Sequence, residues 1–80
     1  MPSLVNRRLF ITGMGSGIGL ATARLAVAEG ARVSGTIQTA EQLANLEAVT
    51  SQDLCFQTDV TDETALNDAV ANAAERLGGL

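Results

Sequence analysis

The residues of this chain with the clearest chemical potential are four glycines that alternate with other residues between Thr12 and Gly19. They directly follow the apolar run Leu9-Phe10-Ile11, which is typical of a short buried strand. A strand that leads through a glycine-rich turn into a helix presents unpaired backbone N–H groups and the positive end of the helix dipole to an anion. Glycine also lets phosphate oxygens approach those groups closely. The segment therefore predicts a site for the pyrophosphate of a dinucleotide.

The spacing of these glycines differs from the common G-x-G-x-x-G fingerprint, because Ile18 stands where its last glycine would be. Instead, the pattern is G-x-x-x-G-x-G, formed by Gly13, Gly17 and Gly19, with Gly15 as an additional glycine. In this pattern Gly13 would permit the sharp turn, Gly17 the close approach of phosphate, and Gly19 the tight packing of helix on strand. A flexible glycine-rich loop is the alternative interpretation of the same residues.

An export signal is a second alternative for this region. Arg7-Arg8 precedes an apolar stretch that ends at Ala21-Thr22-Ala23, as in a twin-arginine signal. Each glycine in that stretch weakens a helix by about 1 kcal/mol relative to alanine, and Arg24 directly follows the small residues. These features favour the phosphate-binding interpretation, and sequencing of the mature N-terminus distinguishes the two.

The composition excludes several kinds of chemistry. The chain of 80 residues has no tyrosine, lysine or histidine, so the side chains most used for proton transfer near neutral pH are missing, and no metal site is predicted. The net charge of -4 disfavours nucleic acid and acidic membrane surfaces as partners. The sequence has no apolar run of about 18 residues, so no membrane span is expected. The single cysteine, Cys55, is expected in a buried strand, and because it has no partner for an internal disulfide it favours a cytoplasmic location.

The elements that must position the glycines alternate between strand and helix along the whole chain. Strands are predicted at residues 8–12, 32–37 and 54–58, and helices at 17–29 and 39–49. A last helix is predicted to be capped by Thr61 or Asp62 and to end at Leu77. Thr39 and Gln42 fit a capping box at the start of the second helix, which is expected to bury Leu43 and Leu46. The third helix has an apolar stripe at spacings of three and four, formed by Leu66, Ala69, Val70, Ala73 and Leu77.

Strand–helix units of this length give parallel strands joined by right-handed crossovers. We therefore predict an α/β fold: a partial Rossmann fold, in which a doubly wound parallel sheet has three strands in the order 3-2-1. Residues 1–80 are interpreted as the N-terminal, dinucleotide-binding half of such a domain, with strand four onward absent. The first strand would then keep an unpaired apolar edge, so self-association through that edge is expected.

The chain resembles the short-chain dehydrogenase/reductase family in two segments, Thr12-Gly13-Met14-Gly15-Ser16-Gly17-Ile18-Gly19 and Asp59-Val60. The order of elements is similar throughout the chain, which corresponds to the first third of a family member. The resemblance implies a coenzyme site formed by Gly13, Gly15, Ser16, Gly17, Ile18, Gly19, Gln38, Asp59 and Val60.

The family pattern implies a role for each part of this site. The motif glycines shape the pyrophosphate loop, and Thr12 helps to hold its turn. Ser16 and Ile18 would lie against the phosphates and the adjoining ribose. The Asp59 carboxylate would bond the adenine amino group, and the Val60 N–H would meet a ring nitrogen. Apart from the resemblance, Asp59 could equally be a capping or turn carboxylate ahead of the last helix.

The resemblance also implies that the end of the second strand selects the coenzyme. An acidic side chain there favours NAD, and a basic side chain favours NADP. Gln38 and Thr39 carry neither charge, and Ser16 stands where many NADP-dependent members have a basic residue. Because a repelling acid is absent, the sequence favours NADP over NAD. The alternative is that Gln38 and Thr39 simply begin the next helix.

Family members use a Tyr-x-x-x-Lys pair with a serine and an asparagine for catalysis, all located beyond the region matched here. No residue of this chain can inherit those roles, so no catalytic residue is assigned, and the chain alone is expected to be inactive. The resemblance implies the NAD(P)-binding portion of an oxidoreductase that interconverts alcohols and carbonyls by hydride transfer. The alternative is a non-catalytic nucleotide-binding or interaction module that pairs through its open sheet edge.

Overall fold

The computed structural model of the chain describes residues 4–79. Its elements are, in order, β1 (Arg8–Ile11), α1 (Gly17–Ala28), β2 (Arg32–Ile37), a 3-10 helix (Ala40–Leu46), a short 3-10 helix (Gln52–Leu54), β3 (Cys55–Gln57) and α2 (Glu63–Leu77). None of the helices within the described residues is long and apolar enough to cross a membrane.

The three strands form one parallel sheet in the order β1-β2-β3. β2 is the middle strand, and residues 33–37 are all buried, as expected for a strand with neighbours on both sides and helices on its faces. The expected order, 3-2-1, also has the second strand in the middle. Within residues 4–79, β1 has a strand partner on one side only.

The first helix closely follows the predicted range of 17–29. α1 ends at Ala28, Glu29 is its C-cap, and Gly30 follows with a φ of +98°, a left-handed conformation that glycine adopts without strain. Ala23 and Ala26 are the buried residues of this helix, and they belong to the same core cluster as the side chains of β2. The small alanines allow α1 to lie close to the sheet.

The predicted helix at 39–49 is wrong in type and extent, because the structure has a 3-10 helix over Ala40–Leu46. The predicted capping box is also wrong: Thr39 makes no side-chain capping bond, and Gln42 accepts a hydrogen bond from the Gln38 N–H instead. In a 3-10 helix, residues three apart lie in line, so Leu43 and Leu46 can both face the core. The tighter helix therefore brings both Leu43 and Leu46, which the pattern predicted to be buried, against the core.

The last strand and helix lie close to their predicted positions. β3 is shorter than the predicted 54–58, because Leu54 ends the preceding 3-10 turn, although the Thr58 N–H still donates to Ile37 O at 3.3 Å. Of the two candidate caps, Asp62 is the N-cap of α2, and its carboxylate accepts from the Ala65 N–H at 3.0 Å. Of the predicted stripe, Ala69, Ala73 and Leu77 are buried, and Leu66 and Val70 are half-buried.

Candidate functional site

A cleft of about 850 Å³ opens at the carboxyl ends of the three strands. Parallel α/β sheets bind ligands at this edge, because the loops that follow the strands meet there. The cleft is lined by Thr12, Gly13, Ser16, Thr36, Ile37, Gln38, Gln42, Gln57, Thr58, Asp59, Val60 and Thr61. Asp59 is the one charged side chain of this lining. Attraction of an anion to the cleft therefore depends on backbone dipoles more than on side-chain charge.

The turn that leaves β1 is held by a side chain of β2. Gly13 has a φ of +67°, which glycine tolerates, and its N–H donates to Thr36 Oγ1 at 2.8 Å. The Met14 N–H donates to Thr36 O at 2.9 Å, so both polar groups of this one residue fix the turn. Thr36 is buried, with 1% of its surface exposed. Thr12, to which the resemblance gave this function, is exposed.

Thr36 is thus a site residue that the sequence interpretation missed. A polar side chain in a central, fully buried strand needs a hydrogen-bond partner, and that requirement was the available signal. The sequence alone could not show that Gly13 is this partner, because Gly13 and Thr36 are brought together only by the pairing of β1 with β2.

Close packing between α1 and the turn requires glycine at position 19. A Cβ at Gly19 would overlap the carbonyl oxygen of Gly13, so α1 could not begin where it does with any larger residue. This contact fixes the first turn of α1 against the end of β1. The backbone N–H groups at the start of α1 are therefore held in a defined position beside the cleft.

The first three backbone N–H groups of α1 are those of Gly17, Ile18 and Gly19. Within the described part of the chain, none of the three donates to a protein acceptor. Ser16 is the N-cap residue in extended conformation, but its side chain makes no capping bond. The first turn of α1 contains no acidic residue. Three unsatisfied donors and an uncompensated helix dipole together form an arrangement that favours a bound anion.

The structure brings five of the nine residues implied by the resemblance into the lining of the cleft: Gly13, Ser16, Gln38, Asp59 and Val60. The other four, Gly15, Gly17, Ile18 and Gly19, lie in the same turn and helix start without lining the cleft. The Ile18 side chain is 88% exposed, so it points away from the core and is not packed in the described part of the molecule.

Asp59 belongs to a turn that its own side chain stabilises. Its Oδ1 accepts from the Thr61 hydroxyl at 2.6 Å and from the Thr61 N–H at 2.9 Å. The hydroxyl and then the N–H of Thr61 lower the pKa of the Asp59 carboxyl below its usual value, so the group is ionised at neutral pH. Because capping of α2 is done by Asp62, Asp59 is free of that role. Its Oδ2 has no hydrogen-bond partner within residues 4–79 and can accept from a ligand.

Uncharged amides surround the end of β2. The Gln38 N–H donates to Gln42 Oε1 at 2.8 Å, and Gln57 Nε2 donates to Gln38 O at 3.3 Å. Gln42 and Gln57 were not among the predicted site residues, because their position at the cleft follows from the folding of the 3-10 helix and of β3. This part of the cleft can donate and accept hydrogen bonds but carries no charge.

Comparison with known proteins identifies the family. A family model described as short chain dehydrogenase matches residues 7–80. The chain therefore belongs to the short-chain dehydrogenase family, as the glycine-rich segment and Asp59-Val60 indicated. The Rossmann-like α/β fold and the position of the cleft agree with that assignment.

Relatives and solved structures match most or all of the chain. The chain is 40% identical over 85 residues to hydroxysteroid dehydrogenase-like protein 2 of Danio rerio, in a match that covers 90% of this chain and 20% of the relative. A short-chain dehydrogenase/reductase from Serratia marcescens has a TM-score of 0.89 at 31% identity, covering 100% of this chain and 34% of that one. A blue fluorescent protein from a metagenomic library, solved in complex with NADPH, has a TM-score of 0.79 at 30% identity, covering 94% of this chain and 33% of that one. The chain thus spans about a fifth to a third of the length of these three proteins.

Proposed function

We propose that this chain holds the adenosine and pyrophosphate end of NAD(P) for an oxidoreductase that transfers hydride between an alcohol and a carbonyl. The observation that supports this most strongly is the set of unsatisfied N–H groups at the start of α1, which lies beside the cleft at the carboxyl ends of the strands. Membership of the short-chain dehydrogenase family supports the same coenzyme class.

In this proposal the backbone, rather than any cation, binds the pyrophosphate. The N–H groups at the start of α1 donate to phosphate oxygens, and the turn at Gly13 keeps side chains out of their way. Asp59 Oδ2 accepts from the adenine amino group, while the Val60 N–H donates to a ring nitrogen. Ser16 and Ile18 lie against the phosphates and the adjoining ribose, with Ile18 supplying an apolar surface.

NADP is the coenzyme that the proposal favours over NAD. The end of β2 carries Gln38 and no carboxylate, so nothing there repels a 2′-phosphate. The metagenomic relative with NADPH is similar over most of this chain, which is in line with the same choice. The cytoplasm remains the proposed location, on the basis of the single unpaired cysteine.

Hydride transfer needs more than the residues present here. The chain has no tyrosine, lysine or histidine for proton transfer, and it spans about a third of the length of its solved relatives. We assign to the remaining part of such proteins the catalytic residues, the nicotinamide side of the cleft and the strands that extend a doubly wound sheet from β1. The 3-2-1 order of the first three strands belongs to that complete sheet.

Ser16→Asp tests the proposal, because it separates binding from folding. Aspartate is a good N-cap, so the substitution is expected to leave the melting temperature unchanged or higher. The added carboxylate would lie among the donors proposed for the pyrophosphate, and like charges should weaken NADPH binding by about tenfold or more. The measurement is isothermal titration calorimetry with NADPH and NADH, next to a thermal melt followed by circular dichroism.

Thr64→Asp is the matched control for charge. Thr64 is exposed in the first turn of α2, outside the cleft lining, so the variant gains the same charge at a helix start. It should bind NADPH as the unmodified chain does. The proposal is overturned if the unmodified chain binds neither coenzyme, or if Ser16→Asp binds NADPH with undiminished affinity.

A further inference from the structure

We propose that Gln42 is the residue that reads the 2′ position of the adenosine ribose. This inference rests on the proposed function and adds a residue that the family resemblance did not supply. In the free protein the Gln42 side chain forms a strap across one end of the cleft, between the end of β2 and the glycine turn. When a dinucleotide binds, the Gln42 amide gives up its contact with Ser16 and contacts the ribose 2′ substituent instead.

The strap is defined by two hydrogen bonds on opposite sides of one amide. Gln42 Oε1 accepts from the Gln38 N–H at 2.8 Å, and Gln42 Nε2 lies 3.4 Å from Ser16 Oγ. The first bond also fixes which atom of the amide is which, because a backbone N–H must face an acceptor. Nε2, the donor, is therefore the atom turned towards Ser16, which lines the cleft.

Two further contacts hold the strap in place. Gln42 packs directly on Gly15, where a Cβ would overlap the Gln42 side chain. Asn45, one turn further along the same 3-10 helix, donates from Nδ2 to Gly15 O at 3.0 Å. The 3-10 helix is thus joined to the glycine turn at two points. The close approach at Gly15 explains why a glycine outside the three-glycine spacing is present.

The position of the strap matches that of the adenosine ribose in the proposed complex. In this kind of fold the pyrophosphate lies at the glycine turn, and the ribose 2′ group faces side chains at the end of the second strand. Gln42 contacts both the glycine turn, through Ser16, and the end of β2, through Gln38. A ribose lying between them must contact the Gln42 amide.

The chemistry of Nε2 suits either form of the ribose. A neutral N–H donor can bond a 2′-hydroxyl oxygen or a 2′-phosphate oxygen, and no carboxylate stands at the end of β2 to exclude the phosphate. The bond from Nε2 to Ser16 is long, so little is lost when it is exchanged, whereas the shorter bond from Gln38 keeps the amide oriented. Ligands with and without the 2′-phosphate should therefore bind within about tenfold of each other.

Gln42→Glu tests this inference sharply. Glutamate keeps the length of the side chain and an oxygen for the Gln38 N–H, but it replaces the donor Nε2 with negative charge. The probes are ADP and adenosine 2′,5′-bisphosphate, measured by isothermal titration calorimetry with the 80-residue chain. The affinity for the 2′,5′-bisphosphate should fall by about tenfold or more relative to that for ADP, because the carboxylate accepts from a 2′-hydroxyl but repels a 2′-phosphate.

Two more variants complete the experiment. Gln42→Arg should shift the same affinity ratio in the opposite direction, towards the 2′,5′-bisphosphate. Gln52→Glu adds an equal charge at an exposed glutamine outside the cleft lining and should leave the ratio unchanged. Circular dichroism monitors folding of each variant. If Gln42→Glu does not fold, the affinity ratio measured for Gln42→Arg tests the role of Gln42 by itself.

The possible failures are distinguishable. An unmodified chain that binds neither ADP nor the 2′,5′-bisphosphate overturns the proposed function and, with it, this inference. An unmodified chain that binds both, with a ratio that neither Glu nor Arg at position 42 changes, overturns the role of Gln42 alone. Opposite shifts for the two variants, with none for Gln52→Glu, establish it.

Discussion

At the scale of single residues, Thr36 has a larger part in the site than its position inside a strand suggests. Its hydroxyl accepts from the Gly13 N–H and its carbonyl accepts from the Met14 N–H, so it fixes both residues of the turn from which α1 starts. The N–H groups of α1 that we propose to bind the pyrophosphate therefore depend on the Thr36 side chain for their position. Thr36 positions the site and is not proposed to contact the ligand.

Thr36→Val tests this positioning. Valine has nearly the same shape but cannot accept the Gly13 hydrogen bond, and an unsatisfied donor in a partly buried place costs about 1–3 kcal/mol of unfolding free energy. ADP affinity should fall as well, because the turn loses one of its two fixed points. Urea denaturation and calorimetry measure the two effects.

The control for this prediction is Thr64→Val. This position is exposed on α2, and the exchange keeps a β-branched side chain, so the unfolding free energy should change by about 0.5 kcal/mol or less. Equal effects of the two substitutions, or full ADP affinity in Thr36→Val, would show that the hydroxyl does not hold the turn.

At the scale of elements, the sequence predicts best where one local signal dominates. β2 has the predicted bounds because three of its six residues are β-branched and residues 33–37 are all buried. α1 ends where Gly30 takes the left-handed conformation. The segment around residues 40–46 differs because its local signals conflict with long-range contacts. Gln42 and Asn45 bond the glycine turn instead of capping their own helix, and those contacts join residues about 26 to 30 positions apart in the chain.

The residues of the candidate site could likewise be predicted from the sequence only where a local pattern marks them. Gly13, Ser16, Asp59 and Val60 could be found from a local pattern, since a glycine turn and the end of a strand are both visible in sequence. Thr36 and Gln42 could not be found, because each acts through a partner that only strand pairing or helix packing brings near. Ile18 belongs to the motif by spacing, yet its side chain lies outside the cleft lining.

At the scale of the whole molecule, the core is shallow and, within residues 4–79, the two outer strands β1 and β3 each have a strand partner on one side only. Eleven apolar side chains are buried within residues 4–79, and five of them are alanines, so little apolar surface is removed from water. β1 is paired only with β2 in this part of the chain, and its residues Leu9, Phe10 and Ile11 are half-buried. A small core beside a strand whose outer edge has no partner favours association of that edge with another chain.

We therefore expect the 80-residue chain to be marginally stable and to self-associate through β1. Its melting temperature should rise with protein concentration, because association stabilises the folded state by mass action. Sedimentation velocity at several concentrations, combined with thermal melts, measures this. A monomer that melts cooperatively at the same temperature at every concentration would contradict the expectation.

The proposed coenzyme site requires that the free N–H groups at the start of α1 receive a diphosphate. Two-dimensional ¹H–¹⁵N NMR of the labelled chain, titrated with ADP, reports on each of those groups separately. Saturable shifts should be largest at Gly17, Ile18 and Gly19, with smaller ones at Gly13 and Val60. If ADP leaves those resonances in place, or if the largest shifts fall elsewhere, such as at Gly78 and Gly79, the proposed coenzyme site is wrong.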